Sequence, residues 1–167
     1  MAISHKSVGA VLSQTEYEAA DSHELASGRE IPTIVRKSAD EAVTNSTTLQ
    51  NDDDLLLAVG ANDVWSIYMV LLHYCDTVDS SDLDYAFTVP SGGSIEGLPM
   101  SGYTVPVDMT VEDELGTTTS RRYHHFFALY TGGGTAGNLQ LQWAQNVATG
   151  AETKILANSF MICQQEE

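Results

Sequence analysis

The sequence predicts an all-β protein: an antiparallel, jelly-roll-like β-sandwich of about eight strands, carried behind an extended N-terminal arm. Three observations predict it. From residue 33 onward the chain is made of short runs rich in Val, Ile, Thr, Tyr and Phe, the side chains that suit a pleated, half-buried surface. Clusters of Gly, Pro, Asn, Asp and Ser separate those runs at fairly regular intervals, as turns do in a sandwich or barrel. Apolar periodicity of the helical kind never persists for ten residues in this part, so helices are not expected there.

The expected strands are 33–37, 42–49, 55–59, 64–74, 83–89, 104–111, 121–131, 138–147 and 154–163. Because side chains alternate across a strand, Leu139, Leu141 and Trp143 share one face, with Gln140, Gln142 and Ala144 opposite. Tyr85, Phe87 and Val89 form the core side of 83–89. The stretch 64–74 differs, being apolar on both sides: Trp65, Ile67, Met69 and Leu71 on one, Val64, Tyr68, Val70, Leu72 and Tyr74 on the other. A two-layer sandwich offers one interior, so the second face needs another cover. Trp65, Ile67, Met69 and Leu71 are the candidate oligomer-interface residues, and a homotrimer is the expected assembly. The alternative cover is the arm or the stretch 90–119 of the same chain.

Residues 1–32 show no sustained period and end in Gly28-Arg29-Glu30-Ile31-Pro32. They read as an attachment arm, leaving 33–167 as the sandwich domain. Thr15 and Glu18 could cap a helical turn. Val8, Val11, Leu12 and Tyr17 give the arm apolar side chains to bury, too few to fold alone, so docking on a partner is expected.

The 167 residues carry 23 acidic against 7 basic side chains, a formal net charge of −16. That balance argues against nucleic acid and anionic membranes as partners. Charged residues make up 18% of the chain, below the roughly 25% usual in soluble proteins, so Thr, Ser, Asn, Gln and Gly supply much of the polar surface. The start, MAISHKSVGAVL, has no continuous apolar segment of signal-peptide length. The longest apolar run, 64–74, falls far short of a membrane-spanning helix, and a soluble protein is expected.

Candidate chemistry is sparse. Asp52-Asp53-Asp54 offers oxygen ligands for calcium, but without EF-hand spacing a solvated turn is the expected state. None of His5, His23, His73, His124 and His125 stands in a metal-ligating pattern, and His124 and His125 point to opposite faces of one strand. Cys75 and Cys163 lie in apolar runs and read as buried thiols; a disulfide would require neighbouring strands. No nucleophile motif is present, and the Gly132–Gly137 segment lacks the Lys-Ser/Thr ending of a phosphate loop, so it reads as a hairpin loop. No enzyme, cofactor or metal is expected. Tyr103, Tyr123, Tyr130 and Trp143 are the aromatic residues that a carbohydrate-binding alternative would use.

Three segments, TNSTTLQNDDDL (44–55), DYAFTVP (84–90) and GTAGNLQLQWAQN (134–146), together resemble β-sandwich proteins of tailed-bacteriophage virions, a family of capsid decoration and head- or tail-fibre components. SHKSVGAVLSQTEY (4–17) and His23 are similar to linkers that attach such modules to particles. The resemblance implies a structural virion protein on the capsid surface, with the major capsid protein as partner and no catalytic residues to carry over. With no heptads or repeats for a fibre shaft, a capsid decoration, or cement, protein is the expected role; a receptor- or carbohydrate-binding fibre tip is the alternative.

Overall fold

Strand β4, Val64–Cys75, is where the alternation of the sequence is expressed most regularly: every second side chain, from Trp65 to Cys75, is buried, and the intervening ones are half-buried. The structure, a computed structural model, describes residues 31–76, 83–99, 107–111, 113–115 and 121–166, all within the compact unit Ile31–Glu167. The remaining strands are β1 (Thr33–Arg36), β2 (Glu41–Val43), β3 (Gln50–Val59), β5 (Leu83–Thr88), β6 (Ser94–Pro99), β7 (Val107–Asp108), β8 (Asp113–Leu115), β9 (Arg122–Thr131), β10 (Gly137–Gln145), β11 (Thr153–Ile155) and β12 (Phe160–Glu166). The arm candidates Val8, Val11, Leu12 and Tyr17 lie outside the described residues.

Two antiparallel sheets form a sandwich. One runs β1-β12-β4-β9-β6-β7, with β11 pairing both β2 and β4; the other runs β3-β10-β5-β8. Without the short β2, β11 and the β6–β7 pair, the strands are ordered as in a jelly roll, with β1-β12-β4-β9 facing β3-β10-β5-β8. The β6–β7 pair widens the first sheet beyond β9. The core lies between the sheets: Trp65, Ile67, Met69, Leu71, Phe126, Tyr130 and Met161 from the wide sheet meet Leu55, Leu57, Tyr85, Phe87, Leu139, Leu141 and Trp143 from the narrow one.

Several expectations are corrected. Trp65, Ile67, Met69 and Leu71 are core residues, at most 9% exposed, and leave nothing for another subunit; the outward face of β4 is the opposite one. The expected strand 42–49 is the short β2 followed by a turn at Asn45, whose φ is 53°. The acidic triplet lies inside β3 rather than in a turn. The stretch 154–163 is two strands, broken at Asn158 with φ 71°. The stretch 90–119, read mostly as connection, holds β6, β7 and β8.

The segment after β9 is not a hairpin, because β9 and β10 belong to different sheets. It is one of three arches that cross between the sheets at the same end, after β3, β5 and β9. The arches lock together: Asn62 N donates to Gly133 O at 2.7 Å, and Gly132 N to Asp63 O at 2.7 Å. A Cβ on Gly133 would lie 2.5 Å from the Gly92 carbonyl carbon, so these backbones approach as only glycine allows. This close packing accounts for Gly132 and Gly133.

The acidic triplet has a structural role. Gln140 opposes Leu56 and Gln142 opposes Asn51, so residues 52–55 bulge from the ladder. Asp52 Oδ1 accepts from Asp54 N at 3.0 Å and Leu55 N at 2.8 Å, and its Oδ2 accepts from Lys37 Nζ at 2.8 Å. Lys37 Nζ also donates to Glu41 Oε2 at 2.6 Å, and Ser38 N to Asp54 Oδ2 at 3.0 Å. Lys37 and Asp52 are both buried. Burial alone would lower the Lys37 pKa, but its hydrogen bonds and charge interactions with Asp52 and Glu41 outweigh that and raise it above the ordinary value. The cluster ties the end of β1 and strand β2, in the wide sheet, to β3 in the narrow one. Removing Asp52 leaves buried Lys37 with Glu41 as its remaining close partner and unpairs the Asp54 and Leu55 amides, and breaking a buried pair typically costs about 3–5 kcal/mol. Asp52→Ala is therefore expected to lower unfolding stability by about that amount in urea titration; a loss below about 1 kcal/mol, the range of exposed pairs, would refute a buried pair.

Candidate functional site

Among the described residues, the outward face of the wide sheet gathers most of the exposed large apolar side chains. Its residues follow from strand register. Ile34 opposes Ile162, Ile162 opposes Tyr68, and Tyr68 opposes Phe127, giving an apolar row across four strands. A second row runs Arg36, Phe160, Val70, His125, and a third Gln164, Ser66, Leu129, Glu96. Ile34, Tyr123, Phe127, Leu129 and Ile162 are between 36% and 67% exposed, where an antiparallel sheet turned to water normally shows polar side chains.

Tyr68 is the centre of an aromatic cluster. Its ring lies 4.9 Å from Phe127 and 6.5 Å from Phe160, edge-on to the latter, and its hydroxyl hydrogen-bonds His125 Nδ1. His125 in turn meets Tyr123 edge-on at 5.0 Å. Beside the cluster lies a groove of about 460 Å³ over Ser66, walled by Tyr68, Phe127, Leu129 and Ile162 and bordered by Glu96 and Gln164. The short Ser66 side chain between larger neighbours makes the depression.

Charge is unevenly spread over this face. Of the five described basic residues, Lys37 is buried and Lys154 pairs with Glu152. The other three, Arg36, Arg121 and Arg122, stand toward one end: Arg121 and Arg122 border a second depression with Asp40, Tyr123 and Asn158, and Arg36 Nη1 donates to Asn158 Oδ1 at 3.3 Å. Glu96 and Glu166 lie toward the other end, across from Leu129 and Val64.

Other sequence candidates resolve differently. The carboxylates of the triplet are engaged by Lys37, Ser38 and backbone amides, and among the described residues no group of three His, Cys, Asp or Glu is placed to hold a metal. Cys163 opposes Ile67, whereas Cys75 is eight residues further along β4, roughly 26 Å away at strand spacing. The two cannot bond within one chain. Both are buried thiols outside any disulfide, and burial pushes the Cys163 pKa up to about 11. Of the aromatic residues suggested for sugar stacking, Tyr130 and Trp143 are in the core, Tyr123 is exposed, and Tyr103 lies outside the described residues.

The apolar outward face was partly legible in the sequence. The second apolar side of 64–74 pointed to it, but the contributions of β1, β9 and β12 needed the strand order.

No family model matches the chain, and no curated protein does. Among solved structures, it is similar at 11% identity to chains in the structures of infectious bursal disease virus, strains Gx and Gt, each with a TM-score of 0.28. The match covers 81% of this chain and 41% and 36% of those chains, so the chain spans about two fifths of their length. So distant a likeness carries no weight for function.

His124, on the core side of β9, stacks on His73 with ring centroids 4.8 Å apart. Burial first, then the charges of Arg122 and His125, hold its pKa below the ordinary histidine value. The unfolded chain therefore takes up this proton first as pH falls, and stability is lost below about pH 6.5. Thermal melts should show a lower Tm at pH 5.5 than at pH 7.5, with the difference shrinking in His124→Gln; an unchanged difference would assign the acid sensitivity elsewhere.

Proposed function

We propose that the chain is a structural virion protein that decorates a phage capsid, its energy invested in contacts rather than chemistry. The observation that carries this reading is the apolar outward face of the wide sheet. Such a face, on a chain otherwise rich in acids, suits a surface that is covered in an assembly. The resemblance of segments 44–55, 84–90 and 134–146 to phage β-sandwich proteins supplies the virion context. The jelly roll is compatible, since capsid proteins are among its hosts, though a fold alone does not select a function. In this reading Val8, Val11, Leu12 and Tyr17 dock the arm on the major capsid protein, and the sandwich projects from the surface.

The test is the composition of the particles themselves. Mass spectrometry of virions from the phage that encodes this chain should find it in many copies, with immunogold label over the head. Full-length protein should bind particles lacking it, and a chain without residues 1–32 should not. Absence from purified virions would overturn the proposal, and label confined to the tail tip would transfer it to the receptor-binding alternative.

A further inference from the structure

We propose that the outward face of the wide sheet is covered by a second copy of this chain, the two related by a twofold axis passing at Tyr68. This deepens the reading of an assembling virion subunit by naming the partner of its apolar face.

Three observations select a second copy as the occupant. Among the described residues eight large apolar side chains are exposed, and five of them, Ile34, Tyr123, Phe127, Leu129 and Ile162, belong to this face. The other three, Ile31, Val111 and Val147, belong to none of its strands. A head-to-tail contact needs a second apolar patch as its complement, and the described surface supplies none. A twofold contact needs only the same face twice.

The second observation is charge. Two copies of a chain with net charge −16 repel one another, so they can meet only where acids are scarce. The outward positions of β1, β4, β9 and β12 hold one acid, Glu166, and those of β6 and β7 add Glu96 and Asp108, in a chain with 23. Self-contact across its central strands therefore meets little repulsion.

The third is register. Arg36 is two strands from β4, at the level of Val70; Glu96 is two strands away on the other side, at the level of Ser66. Tyr68 lies midway between them. An in-plane twofold axis through Tyr68, perpendicular to the line joining them, sets Arg36 of each copy over Glu96 of the other. Both ion pairs form at once, flanking an aromatic centre of Tyr68, Phe127 and Phe160. A threefold axis parallel to the strands would instead bring like ends together, arginines with arginines. The twofold thus replaces the trimer expected from the strand pattern.

Sedimentation equilibrium and light scattering of the full chain test this. A species of about 36 kDa is expected, twice the 18.0 kDa chain. Phe127→Glu should weaken the dimer by about thirtyfold or more, as for a central aromatic anchor, whereas Val147→Glu, an equally exposed position off the face, should leave it intact. Arg36→Glu and Glu96→Arg should each weaken it by about tenfold, and the double variant should recover near-native association, an outcome that misfolding cannot produce. Circular dichroism melts verify that each variant is folded. A monomer, a species of about 54 kDa, or a double variant no better than the singles would overturn the twofold. A dimer that is absent from virions would sink the capsid reading alone, and a monomer that still decorates particles would sink this inference alone.

Discussion

Strand β4 must satisfy hydrogen bonds along both edges and surrender one full face to the interior, and the rest of the architecture accommodates it. It pairs with β9 on one side and with β12 and β11 on the other. Its buried side chains from Trp65 to Leu71 meet the narrow sheet. Full burial of side chains of this size is worth roughly 1.5–3 kcal/mol each, so this strand alone supplies a large share of the apolar gain. Strand β4 cannot slip by one residue in its pairing with β9 and β12 without turning that face outward. The Lys37 cluster adds a second restraint of another kind, a buried set of charges whose geometry holds only when the two sheets are in register.

Much of the fold could be read from the residues. The alternation in 64–74, 83–89 and 138–147 located three central strands, and the assignment of Leu139, Leu141, Trp143, Tyr85 and Phe87 to the interior holds. The failures have physical causes. The triplet Asp52-Asp53-Asp54 looks like a turn because acids disfavour strands, yet one buried lysine fifteen residues earlier compensates Asp52 and lets the chain bulge instead. Strand β6 contains Gly97 and ends at Pro99, so composition concealed it. The arch after β9 resembles a hairpin locally, and only sheet membership tells an arch from a hairpin.

The face of β4 was the instructive error. Both of its sides are apolar, and composition alone cannot say which is inside. Trp65, Ile67, Met69 and Leu71 go to the core, leaving Tyr68, Val70 and Leu72 outside with Ser66 among them. The ambiguity has a simple origin: with one polar residue on each side, Ser66 on the outer and His73 on the inner, neither side is marked by its residues as the one away from the core. Strand order then adds what a linear reading lacks, since Ile34, Phe127 and Ile162 are scattered along the chain and become neighbours only across the sheet.

The two ends of the sandwich differ in how much change they can absorb. Where the arches cross, backbone touches backbone at Gly92 and Gly133, and an insertion has nowhere to go. At the opposite end, Gln145 secures the connection to β11 through Thr149 and Ala151, while Gly150 at its tip has open space around it. A foreign peptide spliced in at Gly150 would leave those anchors in place and stand clear of the broad apolar face. If many copies coat a particle, that tip becomes a repeating display position, a ready site for presenting epitopes or affinity tags in a dense array.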